Sequence, residues 1–444
     1  MTGTSAPVRE PVAAAESGAV APARLGIGVL IALLVVSVVW GHWVTTHASR
    51  SIVLGALPFF GMWGLSVSYG LLVAIATAVV LVVALPRATQ TAWWRVALLA
   101  VATSSVAFSA ALTLVDPPGA RWQSISTEYG QYKGLVDASG GPAGYLRQYV
   151  GLQLQLPTHL SAHPPGMPLM LWAADRIGLS GAGFESALGL AGAAVAAVAA
   201  LVALRELAGV DIARRAAPFV VIAPAAIWHT NADAFFAGIA GSALALVVVA
   251  TGRSGRRSLV YGFAGGAVFG GALLFSYGVA ILAVAMAIVA ISRRAWRPLA
   301  AAGAATFVVL WVPTLWGFSW VAGLRATKEA YDGNLADVRP YWFFLVANLA
   351  VFGSALGPAV MVGLTRLRDH GTLLLVGSGL AVVVLADVTG LSSAETERIW
   401  QPFMPLVLGA GVAASRGPRW SAARWLAVQA TATIALQAFL RSPW

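Results

Sequence analysis

The feature that most constrains this chain is a series of long apolar runs, which are separated by short loops rich in arginine. A helix needs about 20 mostly apolar residues to cross the hydrocarbon core of a bilayer. With 59% hydrophobic and only 10% charged residues, the chain has too little polar surface for a water-soluble globule. Soluble domains carry roughly 25% charged residues. Because lipid cannot satisfy backbone polar groups, the runs predict an all-α, polytopic integral membrane protein.

The apolar runs between charged residues and Pro or Gly breaks give thirteen candidate spans. They predict about 11 to 13 transmembrane helices. The first 22 residues are rich in Ala, Pro, Glu and Ser, so we predict a disordered cytoplasmic tail at 1–22 and one membrane domain at 23–444. The candidate spans lie at 24–43, 68–85, 94–115, 184–204, 216–228, 232–251, 259–275, 278–291, 298–316, 341–364, 372–388, 399–414 and 421–440.

The arginines fall in alternate loops between these spans. Six short loops on one face each carry two or three arginines, from Arg87 and Arg95 in the first to Arg416, Arg419 and Arg424 in the last. The positive-inside rule makes this face cytoplasmic, in a multi-pass protein of the plasma membrane with a cytoplasmic N-terminus. The net charge of +11 therefore reflects topology, and arginines dispersed in this way do not favour a nucleic-acid partner.

The opposite face is predicted to carry two long loops, near 116–183 and 317–340, and most of the acidic residues. A loop as long as the first indicates a functional segment with short helices of its own. The sequence has no cysteine, which excludes thiolate catalysis and cysteine-bound metals. It also lacks a Walker motif, a Rossmann glycine fingerprint and a nucleophile elbow, so nucleotide-driven chemistry is not expected.

The first long loop contains Thr-Glu-Tyr-Gly-Gln-Tyr-Lys at 127–133, in which Glu128 and Tyr132 would share one face of a short helix. A carboxylate near the membrane surface can act as a general base toward a hydroxyl group. Partial burial would raise its pKa toward the working pH. The alternative is a solvated loop acid without a catalytic role.

Farther along the same loop, His163-Pro164-Pro165 precedes an apolar stretch. Proline suits the first turn of a helix, so His163 would lie just before a helix N-terminus, a position that favours phosphate. The alternative is that the two prolines only form the turn by which the chain re-enters the membrane.

Near the end of the chain, Glu395, Glu397 and Arg398 stand where a predicted span begins. Unpaired charge is costly at that depth. Arg398 is therefore either paired with one of the two acids or positioned to hold a lipid-borne phosphate with its planar fork. Both readings remain open at this point.

Charged and aromatic residues in the second long loop, Lys328, Tyr331 and Arg339 among them, form a surface suited to sugars. The alternative is an ordinary hydrated loop. Asp233 opens a predicted span, where it would cap the helix.

Taken together, the carboxylate with an aromatic four residues on, the His-Pro-Pro and the late Glu-Arg-Ile-Trp resemble the polytopic C-type (GT-C) glycosyltransferases. This superfamily includes protein O-mannosyltransferases, aminoarabinose transferases and actinobacterial cell-envelope mannosyl- and arabinosyltransferases. The resemblance covers most of the chain and depends on the order and common side of the motifs. The Ala-, Val-, Gly- and Arg-rich composition is typical of a high-GC actinobacterium.

The resemblance implies an enzyme that transfers a sugar from a polyprenyl-phosphate donor to a glycan, lipid or protein acceptor of the cell envelope, on the non-cytoplasmic side and with inversion. It implies Glu128 as the general base, Arg398, Glu397 and His163 at the donor, and Tyr132, Lys328, Tyr331 and Arg339 around the sugar or acceptor. Relatives often have Asp or an adjacent acidic pair, whereas Tyr129 follows a single Glu here. Asp116 and Asp137 therefore remain alternative bases.

No cofactor is required by this chemistry. A single carboxylate without a close acidic partner is a poor Mg²⁺ or Mn²⁺ site, so metal dependence is not supported by the sequence. Two other functions remain open: a transporter or flippase of a lipid-linked sugar, and a noncatalytic scaffold for envelope assembly. The sugar, the acceptor and the linkage are not specified by the sequence.

Reporter fusions test the predicted sidedness. Reporters inserted beside 127–133 and beside 395–398 should both report a non-cytoplasmic position, and reporters in the loops of Arg253 or Arg293 a cytoplasmic one. Opposite sides for the first two segments would contradict a shared site.

Overall fold

The computed structural model describes residues 12–47, 52, 54–116, 124–334, 339–390, 392–415 and 421–444. About 79% of the structure is helical, which confirms the all-α prediction. Within the described ranges the sheet is limited to two short antiparallel strands, β1 (Met62–Trp63) and β2 (Leu440–Arg441).

The helices up to the end of the first long loop are α1 (Val12–His47), α2 (Tyr69–Thr91), α3 (Trp94–Thr113), α4 (Ser124–Glu128), α5 (Gly134–Ala138), α6 (Pro142–Leu152), α7 (Thr158–Ser161) and α8 (Gly166–Asp175). The later helices are α9 (Ala182–Ala208), α10 (Val210–Val221), α11 (Ala232–Thr251), α12 (Gly255–Leu273), α13 (Leu282–Ser292), α14 (Trp296–Trp311), α15 (Trp320–Asn334), α16 (Tyr341–Leu356), α17 (Pro358–Leu364), α18 (His370–Val388), α19 (Thr396–Ile399), α20 (Met404–Leu408) and α21 (Ala422–Phe439).

Each of the thirteen predicted spans coincides with one of these helices or with a helix continued by a neighbouring helix or 3₁₀ turn. By length and composition, seven helices in the described ranges could cross a membrane, or eight if the bent pair α16 and α17 forms one span. Of the remaining segments, α12 and α21 have 19 and 18 residues but do not meet this test, and the others, such as α10 and α20, are shorter helices and 3₁₀ turns. Helix α1 begins at Val12, so it takes in the second half of the segment 1–22 that we predicted as a disordered tail, while residues 1–11 lie outside the described part.

The described arginine-bearing connections lie together at one end of the bundle. Arg214 Nη1 donates to the carbonyl oxygens of Thr89 and Gln90, and Arg253 Nη1 donates to Glu206 Oε1 at 3.0 Å. Arg253 and Asp233 lie near opposite ends of α11, a 20-residue helix that spans about 30 Å. The arginine-rich end is therefore separated from the end that carries Asp233.

Helices α9 and α11 form the centre of the bundle, where small residues allow close approach. A Cβ on Gly192 would lie 2.3 Å from Phe235 Cα, and one on Gly238 would lie 2.6 Å from the Gly192 carbonyl oxygen. Small residues have this role in membrane helix pairs because backbone proximity maximises packing where lipid supplies no hydrophobic drive. Helices α1 and α14 lie outside, with exposed apolar side chains such as Val39 and Phe307.

Helices α16 and α17 meet at a bend of 106°. Gly357 forms the bend with a φ of 82°, which favours glycine. The side chain of Gln429 in α21 accepts from Ala359 N at 2.9 Å and donates to the Leu356 carbonyl at 2.6 Å. One amide thus satisfies two backbone groups that the interrupted helix leaves without partners.

The segment predicted as the first long loop carries α4 to α8, as expected for short helices. A small core of Val136, Tyr145 and Tyr149 from this segment also includes Phe318 from the second predicted loop. The second predicted loop, 317–340, is mostly the helix α15, and residues 335–338 with Asp337 lie outside the described part.

The α9–α11 contact leads to a stability prediction. Gly192→Ala should destabilise the fold by about 1 to 3 kcal/mol, because the added methyl group has no room against α11. Gly303→Ala in α14 is the matched control: a Cβ there meets no atom within 4 Å, and alanine gains up to about 1 kcal/mol of helix propensity. Thermal unfolding in detergent measures both, and equal midpoints would contradict the predicted contact.

Candidate functional site

Arg398 is the centre of a buried group of charges. Its side chain is 5% exposed, and its Nη1 donates to Asp233 Oδ2 at 2.8 Å while its Nη2 donates to Glu395 Oε2 at 2.7 Å. A buried guanidinium needs such partners because its ionised form loses the solvation of water. Of the two predicted acidic partners, the structure selects Glu395, and it adds Asp233 from a different helix.

A second arginine completes this group. Arg339 Nη2 donates to Glu395 Oε1 at 2.8 Å, and its Nη1 donates to the Ser393 carbonyl at 2.6 Å. Burial by itself would raise the pKa of the Glu395 carboxyl, but Arg398 and Arg339 lower it below its ordinary value. We call Glu128, Asp233, Arg339, Glu395 and Arg398 the charge cluster.

The loop that carries Glu395 is strained and firmly held. Ala394 and Glu395 have φ values of 75° and 60°, which non-glycine residues rarely adopt. Asn348 Nδ2 donates to the Ser392 carbonyl and to Asp387 Oδ1, both at 3.0 Å, and Asn348 Oδ1 accepts from Ala394 N. Backbone strain of this kind costs about 1 to 3 kcal/mol per residue and occurs often at functional sites.

Asp233 reaches the cluster from the first turn of α11. The cap of this helix is Asn231, whose Oδ1 accepts from Ala234 N at 3.0 Å. Our prediction that Asp233 caps the helix is therefore wrong, since the Asn231 side chain already accepts the hydrogen bond from the first turn. The Asp233 side chain instead binds Arg398.

Glu128, the remaining member of the charge cluster, ends α4. Its side chain is 7% exposed, Oε1 accepts from Ser124 Oγ at 3.2 Å, and Oε2 is buried without a hydrogen-bond partner. Burial raises the pKa of Glu128 to about 7, although Arg398 nearby lowers it. Two arginines and two other carboxylates already balance in charge within the cluster, so Glu128 is the additional carboxyl and can change protonation near neutral pH.

The predicted shared helix face of Glu128 and Tyr132 is wrong, because α4 ends at Glu128 and Tyr132 follows in a 3₁₀ turn. The chain turns at Gly130, where a Cβ would lie 2.6 Å from the carboxylate of Glu185. A side chain at this position would displace the carboxylate of this buried acid. Tyr132 packs against the apolar core, and Tyr129 is the aromatic that accompanies Glu128.

Two histidines flank Glu128 and Tyr129. His159 Nδ1 is 3.9 Å from Glu128 Oε2, and the ring of His163 lies 5.8 Å from that of Tyr129. Burial lowers the pKa of His159 to about 3 and that of His163 below its ordinary value, so both rings are neutral. As predicted, His163 precedes a helix, since α8 begins at Gly166 with Pro165 at its cap.

Glu397 lies in this region but does not pair with Arg398. Its Oε1 accepts from Phe60 N at 3.2 Å, and its Oε2 is buried without a partner. Burial raises the pKa of Glu397 to about 7. Phe60 also stacks on Trp444, whose ring lies 4.4 Å from Arg398 Cζ.

The two alternative bases lie in other surroundings. Asp116 is buried and its Oδ2 accepts from Gln437 Nε2 at 2.8 Å. Asp137 is 55% exposed in α5, where it pairs with Arg176 and accepts from Trp172 Nε1 at 2.9 Å. Both acids therefore have partners away from the charge cluster, whereas Glu128 Oε2 is buried without a hydrogen-bond partner.

Two residues predicted around the sugar lie on α15. Lys328 is 75% exposed and pairs with Asp332 of the same helix. Tyr331 is half-buried one residue before that acid. Arg339 is therefore the member of the predicted sugar-binding set that reaches the charge cluster.

Among the described residues, no three His, Asp or Glu side chains are grouped so that they could hold a metal ion. Metal dependence, which the sequence does not support, is not tested by this observation.

Comparisons with protein-family models, curated proteins and solved structures found no match.

Sequence reasoning missed Asp233 and Tyr129 as members of the site and assigned no role to His159. Asp233 carried one usable signal: an acid at the start of an otherwise apolar span, which requires a partner of opposite charge. The loop strain at Ala394 and the aromatic contact of Trp444 had no sequence signal.

The raised pKa of Glu128 predicts a pH-dependent stability effect of Glu128→Gln. The folded chain binds the proton more tightly than the unfolded chain, so the stability contribution is present at low pH and is lost as pH rises toward about 7. Gln does not ionise, so the variant should gain up to about 3 kcal/mol relative to wild type between about pH 4 and about pH 8.

Denaturant unfolding in detergent at both pH values measures this difference. Asp175→Asn is the control, because Lys133 holds the pKa of the exposed Asp175 below its ordinary value, so its titration lies outside the range in which Glu128 titrates. A pH-independent difference between Glu128→Gln and wild type would contradict the predicted shift.

Proposed function

We propose that this chain is an inverting membrane glycosyltransferase that transfers a sugar from a polyprenyl-phosphate donor to an acceptor hydroxyl of the cell envelope, on the non-cytoplasmic face of the plasma membrane. The observation that carries the proposal is the buried Glu128 carboxyl, whose Oε2 has no hydrogen-bond partner and whose pKa is about 7. A general base works best when its pKa lies near the working pH.

In the proposed reaction, Glu128 accepts the proton of the acceptor hydroxyl as its oxygen attacks the anomeric carbon. The bond from that carbon to the donor phosphate oxygen breaks, and the polyprenyl phosphate leaves with the electron pair. Positive groups nearby favour the charge that develops on the leaving phosphate. His163, Tyr129 and the strained loop at Glu395 shape the pocket around the base.

The Nη atoms of Arg398 are not free to bind the donor phosphate. Both of its Nη atoms donate to carboxylates, which argues for a role in positioning Glu395 and Asp233. Its Nε is buried without a partner, so this N–H of the guanidinium could donate to a ligand.

The proposal predicts that Glu128→Gln lowers transfer from a radiolabelled polyprenyl-phosphate sugar by about 100-fold or more in membranes. In wild type, kcat should rise with pH through about 7, because the base must be deprotonated. Asp175→Asn, an exposed acid of α8, is the matched control. Unchanged transfer by Glu128→Gln together with loss in Asp137→Asn would assign the base to Asp137 instead.

A transporter of a lipid-linked sugar is the second candidate, because α16 and α17 form a broken helix and the buried Asp387 stands within the apolar helix α18. It predicts movement of the lipid-linked sugar across the membrane without covalent transfer. Transfer by the purified protein would exclude this as the sole function.

A further inference from the structure

A groove separate from the charge cluster lies beside the β1–β2 pair. Its volume is about 640 Å³, within the range of ligand-binding pockets. Leu54, Phe60 and Met62 give apolar walls, and Thr45, Arg441 and Ser442 give polar atoms. The groove therefore suits a ligand with an apolar chain and a polar head.

The groove lies where a membrane lipid would meet the polar surface. Thr45 stands two residues before the end of α1, whose apolar part from Ala23 to His47 is long enough to span a membrane. Two exposed tryptophans lie nearby in the chain, Trp43 in α1 and Trp63 in β1. Tryptophan is enriched at this depth because its ring prefers the boundary between lipid and water.

Arg441 supplies a positive charge that no carboxylate in the described ranges neutralises. The backbone of Arg441 is held by strand pairing with Met62, and Arg441 Nη2 donates to the Leu65 carbonyl at 3.2 Å. In contrast, the arginines of the charge cluster already bind Asp233 and Glu395. A phosphate in the groove would find its opposite charge at Arg441.

The groove is linked to the charge cluster through two aromatic residues, Phe60 and Trp444. Phe60 lines the groove, its N–H donates to Glu397, and its ring stacks on Trp444 at 4.8 Å between centroids. Trp444 in turn lies against Arg398. Three residues of extended chain from Arg441 to Trp444 span at most about 10 Å, so a phosphate at Arg441 would be close to the cluster.

We infer that this groove binds the phosphate and the first isoprene units of the lipid donor, with Arg441 as the cation that meets the phosphate. The inference rests on the proposed function, and it moves the principal phosphate contact from Arg398 to Arg441. The rest of the prenyl chain extends into the lipid beside α1.

The test measures donor kinetics with the full-length protein in nanodiscs. Arg441→Gln should raise the donor KM about tenfold or more, because a charge-assisted contact of about 1.5 kcal/mol or more is lost from binding, and it should also lower kcat, because the same phosphate is the leaving group. Arg441→Lys should recover part of the affinity. Arg325→Gln, at an exposed arginine of α15, is the matched control. A donor KM for Arg441→Gln equal to that of wild type overturns the inference.

A second measurement separates this inference from the proposed function. A photoreactive polyprenyl phosphate without sugar should label peptides that contain 54–62 and 441–443, and unlabelled polyprenyl phosphate but not phosphatidylglycerol should compete. Labelling elsewhere, or equal competition by phosphatidylglycerol, overturns the donor groove. If wild type transfers no polyprenyl-phosphate sugar while the specific labelling persists, the proposed function fails and the lipid-phosphate groove stands.

Discussion

The ion pairs of Arg398 are the interaction on which the rest of the site depends. The Arg398 side chain, which is 5% exposed, must keep its carboxylate partners, because an unpaired charge at such a position costs several kcal/mol. Its partners come from the first turn of α11 and from the loop before α19, and Arg339 adds the chain just before α16. Three distant parts of the sequence are therefore held together by one network of charges.

This network of charges also determines the protonation state of Glu128. Asp233 and Glu395 satisfy the two arginines, so Glu128 receives only the residual attraction of Arg398 while it bears the full cost of burial. The opposite outcome at Glu395, whose pKa is lowered, comes from direct contact with both guanidinium groups. Two carboxyls of one cluster thus differ in protonation because one has cationic partners within hydrogen-bond distance and the other does not.

Much of the helical architecture could be predicted, because each apolar run has a clear length and the arginine loops repeat. Glu128, His163, Arg339 and Arg398 could be predicted as site residues from their charge or position in an apolar chain. The helix end at Glu128 could not, because it depends on the contact of Gly130 with Glu185, 55 residues later. The exposed positions of Asp137 and Lys328 depend on nearby partners, Arg176 and Asp332, which a list of acids and bases does not reveal.

The bend between α16 and α17 bears on the order in which the protein is made. The two backbone groups at the bend are satisfied by Gln429, which the ribosome adds about 70 residues later. Until α21 packs against them, those groups have no such partner, and unsatisfied backbone groups are not tolerated in lipid. The bend between α16 and α17 is therefore completed late in biosynthesis, after both of its helices have been synthesised. The same holds for the position of Asn348 in α16, which binds the loop that carries Glu395.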